Sequence, residues 1–216
     1  MSANNSSAGP LRAKAGHNTR QEILDAAAEV FTEVGFKAAS VKAIAEKVGI
    51  KAPSLYTHFK SKNQILYTVL SEGARSLRAD CTEAVSSAGD DPRLQMERFV
   101  RANLEPIVER RGTVPMFDSY LYQAPGSASF RVLTRQQISV LNKVQRDIVD
   151  VVKNIIIVGL NKNIMSVRDI TVATFGVLGI IEHVAYWYSP SGRLSIEQII
   201  EEITHLCLSS LNCISE

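Results

Sequence analysis

At 216 residues the chain has room for one large domain or two small ones, and its 45% apolar content excludes wholesale disorder. A net charge of +2 excludes a protein that holds polyanions by bulk charge alone, yet the charge is uneven: residues 1–63 carry nine Lys/Arg against five Asp/Glu, and the remainder fifteen against seventeen. Cys81, Cys207 and Cys213 show no CxxC spacing, and the Ser/Ala/Asn-rich start lacks the apolar stretch of a signal peptide, so reduced thiols and a cytoplasmic location are expected.

The first 18 residues read as a flexible basic arm carrying Arg12, Lys14 and His17. Thr19 with Glu22 has the form of a capping box, and Ile23, Ala27, Val30, Phe31 and Val34 then share one helical face, closed by Gly35. Ser40 starts a second, short helix with the stripe Val41, Ile44, Ala45 and Val48, ended by Gly49. A third, very short helix follows at once, with Pro53 in its first turn and Leu55 and Phe59 one turn apart for burial. Ser61 with Gln64 opens a fourth helix that reaches Ala84 or Val85.

Beyond the break "SAGDDP" (87–92), a helix is expected from Arg93 to Arg110, kinked at Pro106. Further helices are expected over Met116–Gln123 and Phe130–Gly159, the latter ended by the turn "NKN" (161–163). Ser166 with Asp169 reads as a capping box for a helix to Tyr188. Ser195 with Gln198 caps the last helix, whose stripe is Ile196, Ile199, Ile200, Ile203, Cys207 and Leu211. Strand alternation is nearly absent, so the fold class is all-α. The longest apolar run, Val172 to Ile181, falls short of the ~18 residues that a membrane span needs.

Helix, glycine turn, short helix is the pattern of a helix-turn-helix over residues 40–60. With Leu55 and Phe59 inward, the opposite face shows Lys51, Ala52, Ser54, Tyr56, Thr57 and Lys60. Hydroxyls on such a face suit base edges or phosphates; Tyr56 and His58 reach the backbone, and Lys60 and Lys62 supply phosphate charge. The plainer reading, an amphipathic helix with a solvated polar side, fits the same pattern.

The stretch "TRQEILDAAAEVFTEVGFKAASVKAIAEKVGIKAPSLYTHFKSKNQIL" (19–66) resembles the DNA-binding domain of the tetracycline-repressor (TetR) family of bacterial transcription regulators. Arg20, Ile23, Leu24, Ala27, Phe31, Gly35, Ser40-Val41, Ile44-Ala45, Val48-Gly49, Leu55-Tyr56-x-His58-Phe59 and Lys62 carry the match. The resemblance implies a helix-turn-helix domain (19–63) followed by a helical effector-binding and dimerisation domain (64–216). It implies a phosphate contact for Ser40, base reading by Lys51, Ser54 and Thr57, and DNA-backbone contacts for Tyr56, His58 and Lys62. The third helix departs from the best base readers, having no Arg, Asn or Gln.

"EHVAYWYSPSGRLS" (182–195) is similar to the end of the sensor domain in a branch of the family that includes regulators of lipid and CoA-thioester metabolism. That implies a small hydrophobic effector, with acyl-CoA as a candidate class, and a pocket drawn from Phe99, Phe117, Tyr120, Tyr122, Phe130, His183 and Trp187, with Tyr186 beside them. Core packing explains the aromatic residues equally well, and an interface pair explains Glu182–His183. Arg98, Arg101, Arg131 and Arg135 fit either a solvated face or the phosphates of a CoA. Residues 167–188 are apolar nearly all round, which with the isoleucine stripe of 195–211 suggests a homodimer through both segments. No GxSxG, P-loop, GxGxxG, HExxH or paired-cysteine motif is present, so an enzyme, a metal site and a cofactor are not expected. A helical scaffold that binds only protein is the rival to a DNA-binding regulator.

Overall fold

The computed structural model describes residues 19–109 and 132–213, which form helices and turns without a strand. The expected basic arm, the helix over 116–123, and Phe117, Tyr120, Tyr122, Phe130 and Arg131 lie outside the described residues. In chain order the helices are α1 (Thr19–Ala38), α2 (Val41–Val48), α3 (Ala52–His58), α4 (Lys62–Ser87), α5 (Pro92–Glu109), α6 (Arg135–Asn161), α7 (Ile170–Glu182), α8 (Val184–Trp187) and α9 (Ile196–Ser210).

Helix α1 buries Ile23, Leu24, Ala27 and Phe31 against α2 and α4. Gly35 interrupts it with φ 76°, ψ 156°, a left-handed backbone that suits glycine, and the chain resumes a short turn to Ala38. Thr19 lies within α1 rather than capping it. The α1–α3 unit meets the rest of the subunit through α4, which packs on α1 at its start and on α5 and α6 beyond.

Helix α4 ends at Ser87, Gly89 turns the chain at φ 64°, and Asp91 Oδ1 accepts from Arg93 N–H to start α5. Helix α5 carries Met96, Phe99, Val100 and Leu104 into the core and continues through Pro106 to Glu109. The long helix α6 begins five residues later than its apolar periodicity suggests. Thr134 and Gln137 exchange the two bonds of a capping box there, a Thr-x-x-Gln signature present in the sequence. Asn163, at φ 56°, then turns the chain.

Several expectations about the C-terminal helices are corrected. Ser166 does not cap α7: its N–H donates to Leu211 O and its carbonyl accepts from Asn212 Nδ2, so tertiary bonds hold it away. Asp169 is the cap, accepting from Val172 N–H at 2.8 Å. The helix also does not run unbroken to Tyr188 but breaks at His183 into α7 and α8. Taken together, Ile170–Trp187 does reach 18 residues with mean hydropathy 1.4, the length and apolarity of a membrane span, although only 28% of it is buried within the subunit.

A further correction concerns α9. Its capping box, Ser195 with Gln198, forms as expected. The stripe Ile199, Ile200, Ile203, Cys207 and Leu211, however, packs into the subunit's own core against α5 and α7 and is not available to a partner. Helix α7 is different. Thr174, Val177, Leu178 and Ile181 point inward, while Val172 (72% exposed), Phe175, Gly176 and Gly179 face out, with Tyr186 and Trp187 of α8 exposed nearby in the chain.

Candidate nucleic-acid interface

The interface is built from two helix starts and one short helix. Gly49 closes α2 in the left-handed conformation (φ 79°, ψ 23°), its N–H shared between Ala45 O and Glu46 O. Three residues later α3 begins, held by Leu55 and Phe59, which are 0% and 2% exposed. Burying that edge turns the opposite side to solvent, where Lys51, Ser54, Tyr56, Thr57, His58 and Lys60 are all exposed. Tyr56 leaves 53% of its surface free on this side.

The polar groups have defined roles. Thr57 Oγ1 donates to Ser54 O at 2.6 Å, so its hydroxyl meets an incoming group as an acceptor. Ser40 Oγ accepts from Ala43 N–H at 3.0 Å and caps α2, which leaves its own proton for an outside acceptor such as a phosphate oxygen. Ser61 Oγ caps α4 by accepting from Gln64 N–H at 3.1 Å. The reciprocal half of the expected capping box is displaced by one residue, since Gln64 Oε1 accepts from Lys60 N–H, not from Ser61. The α4 start therefore keeps first-turn amides without intrahelical partners, a favourable place for an anion.

Lys62 differs from its expected role as an outward phosphate contact. Its Nζ donates to Phe36 O and Ala39 O, both at 2.7 Å, approaches Lys37 O at 3.5 Å, and lies 4.4 Å from the centroid of the Phe36 ring. Other cations are also engaged. Lys47 pairs with Glu29 at 2.6 Å and Glu33 at 3.1 Å, hydrogen bonds that hold its ammonium above the usual lysine range. Arg20 lies over the Phe59 ring and pairs with Glu72 of α4 at 2.9 Å. Such contacts between segments distant in sequence leave no periodic signal, and sequence reasoning missed all three.

On the effector side, the expected pocket residues separate. Phe99 is fully buried in core packing. His183 and Trp187 are exposed; His183 stacks on Tyr186 (5.5 Å, 30°) and lines an open groove of about 360 Å³ with Phe175, Leu178, Gly179 and Glu182. These residues sit on the outer side of α7 and α8, not in an enclosed cavity. Arg101 Nη1 bonds Glu105 Oε1 and Glu197 Oε2, each at 2.9 Å, bonds that raise its already high pKa and tie α5 to α9. Arg98 and Arg101 line a second open groove with Asp80, Glu83 and Glu105, a mixed surface rather than a cradle of positive charge. Among the described residues no cluster of His, Cys, Asp and Glu has the form of a metal site.

Residues 23–68 match the family described as "Bacterial regulatory proteins, tetR family", and residues 89–211 match the "Tetracyclin repressor-like, C-terminal domain". The chain belongs to the TetR family. The HTH-type transcriptional repressor KstR2 of Rhodococcus jostii is 26% identical over 194 residues, covering 89% of this chain and 90% of that protein. KstR2 of Mycolicibacterium smegmatis is 27% identical over 200 residues, with the same coverage. The solved ketosteroid regulator KstR2 of Mycobacterium tuberculosis superposes with a TM-score of 0.78 at 21% identity, covering 93% of this chain and 97% of that one. AibR, solved with isovaleryl coenzyme A and operator DNA, superposes with a TM-score of 0.74 at 20% identity, covering 88% and 97%. These structures share the TetR fold, and the family is one of transcriptional regulators.

Proposed function

We propose that this TetR-family chain is a ligand-responsive repressor that binds a palindromic operator as a homodimer and leaves it when a small hydrophobic effector binds. The observation that carries this is the exposed α3 face, with Lys51, Ser54, Tyr56 and Thr57 outward and Leu55 and Phe59 inward. Ser40, the α4 start, His58 and Lys60 flank it as DNA-backbone contacts, and residues 19–63 form the reading unit. The repressor role draws support from the KstR2 relatives.

The dimer is assigned to the outer faces of α7 and α8, joined by the outer edge of α9 at Leu206, which is 50% exposed. A short recognition helix reads few bases, so two copies about one DNA turn (~34 Å) apart are needed for specificity. The effector is assigned to residues 64–188, with acyl-CoA thioesters as the first class to test; the AibR complex with isovaleryl coenzyme A supports that choice.

The test is a gel-shift titration. The purified protein is expected to shift duplex DNA in a salt-dependent way, and one or more CoA thioesters to release it. If DNA binds and no thioester releases it, the acyl-CoA assignment fails and simpler hydrophobic acids are next. If no duplex is shifted, the chain is a helical scaffold and the repressor reading fails.

A further inference from the structure

We infer that Lys62 is a positioning residue for DNA docking: its ammonium clamps the end of α1 to the start of α4 and so fixes the spacing of the two helix N-termini that flank the recognition helix. The inference rests on the DNA-binding reading above. It begins where α1 ends: past the positive-φ break at Gly35 the helix stops at Ala38, so the carbonyls of Phe36 and Lys37 in its last turn, with that of Ala39 just beyond, have no later turn of α1 to bond them. Those carbonyls converge on one cation. An ammonium has three N–H donors, and here two make 2.7 Å bonds, to Phe36 O and Ala39 O, while Lys37 O lies at 3.5 Å. The negative end of a helix favours a cation, and the Phe36 ring face adds to the attraction.

The position of the clamp gives it consequence. Ala39 precedes Ser40, the cap of α2, and Lys62 is the first residue of α4. Both helix starts carry the hydroxyl and amide groups assigned to DNA phosphates, and α3 lies between them in sequence. Without the clamp each helix start persists, but their separation is set by core packing alone, and α3 meets the groove less well while both hold phosphates. The cation acts through backbone carbonyls and need not touch DNA.

Lys62→Met keeps the stem and removes the charge. Affinity for the tightest-binding duplex recovered from a random-sequence pool is measured by anisotropy over a salt series. The expected result is a loss of about tenfold or more with the salt slope kept. A direct phosphate contact predicts a slope shallower by about 2 for the dimer, one phosphate per subunit, and that result overturns the inference, as does unchanged affinity. Lys62→Arg is the second variant, and it decides alone should the Met variant not fold. A guanidinium serves a phosphate at least as well as an ammonium, but its planar fork does not match three carbonyls around one point. Arg is therefore expected to leave affinity well below wild type, and full recovery overturns the clamp. Failure of the wild type itself to bind any duplex sinks the repressor reading, which is a different result from a changed slope.

Discussion

Gly176 and Gly179 offer a test of the assigned dimer face. Both lie within α7, where each glycine lowers helix stability by ~1 kcal/mol relative to alanine. Among the described residues that loss has no packing reason, because a methyl group at either position meets no neighbouring atom of theirs within 4 Å. A partner helix approaching closely supplies the reason. Substituting Gly176→Ala then has two separable effects. The propensity gain of ~1 kcal/mol belongs to the helix in monomer and dimer alike, so it cancels from the association constant. The added methyl at a packed contact costs ~1–3 kcal/mol and is felt twice across a two-fold axis. About 2 kcal/mol or more against association corresponds to a dissociation constant raised by about 30-fold or more. Sedimentation of wild type, Gly176→Ala and Gly179→Ala over a dilution series reads that shift directly. If both variants associate as tightly as wild type and melt at a higher temperature, the glycines are not at the contact and the α7 assignment is wrong.

Gly159 should respond in the opposite way within the subunit. A Cβ there lands on the buried side chain of Met165, so Gly159→Ala is expected to lower the melting temperature, overpacking of ~1–3 kcal/mol exceeding the propensity gain. Leu55→Ala removes a fully buried anchor at ~2–5 kcal/mol; DNA binding should be lost while sedimentation still shows the dimer. Thr57→Ala is expected to change preference among duplexes in a selection experiment, since its acceptor oxygen sits on the α3 face, with little change in affinity for mixed-sequence DNA. Burial pushes the Cys207 thiol from its ordinary 9.0 up to about 12. The unfolded chain ionises first, so this contribution to stability is complete below pH 9 and lost as pH rises towards 12. Denaturation midpoints across that range should fall less steeply in Cys207→Ala than in wild type.

The parts of the fold legible in the sequence were those set by near neighbours. Ser40, Gly49, Ser61 and Ser195 act within a turn of the helix ends they mark, and Leu55 with Phe59 declares its buried edge by spacing alone. Ser166 misled because its pattern is a proper capping signal, overridden by bonds to Leu211 and Asn212 more than forty residues away. Periodicity revealed that α9 has an apolar face but not whether a partner or its own core covers it; Ile199, Ile200 and Ile203 turned inward, while Val172 and Phe175 of α7 stayed outside. Lys62 was legible as a cation near a helix start, but not as the meeting point of three carbonyls brought together by the break at Gly35. For the effector site, Phe99 is buried while His183 and Trp187 are exposed, a difference the sequence does not carry, because an aromatic residue fits a core, an outer face or a pocket by the same pattern.

The segment Ile170–Trp187 also has a meaning for the life of the chain before it reaches DNA. Anything in the cell that reads hydropathy meets an 18-residue stretch of mean hydropathy 1.4, only 28% of it buried within the subunit, for as long as the subunit is alone. How long that lasts depends on the abundance of other copies, because the encounter of two subunits is second order in their concentration. A regulator made in very few copies per cell would keep this surface open to chaperones, proteases and bilayers for longer than one made in many. On the dimer contact assigned above, the chemistry of one helix face sets a lower bound on copy number, independently of how tightly the operator is bound.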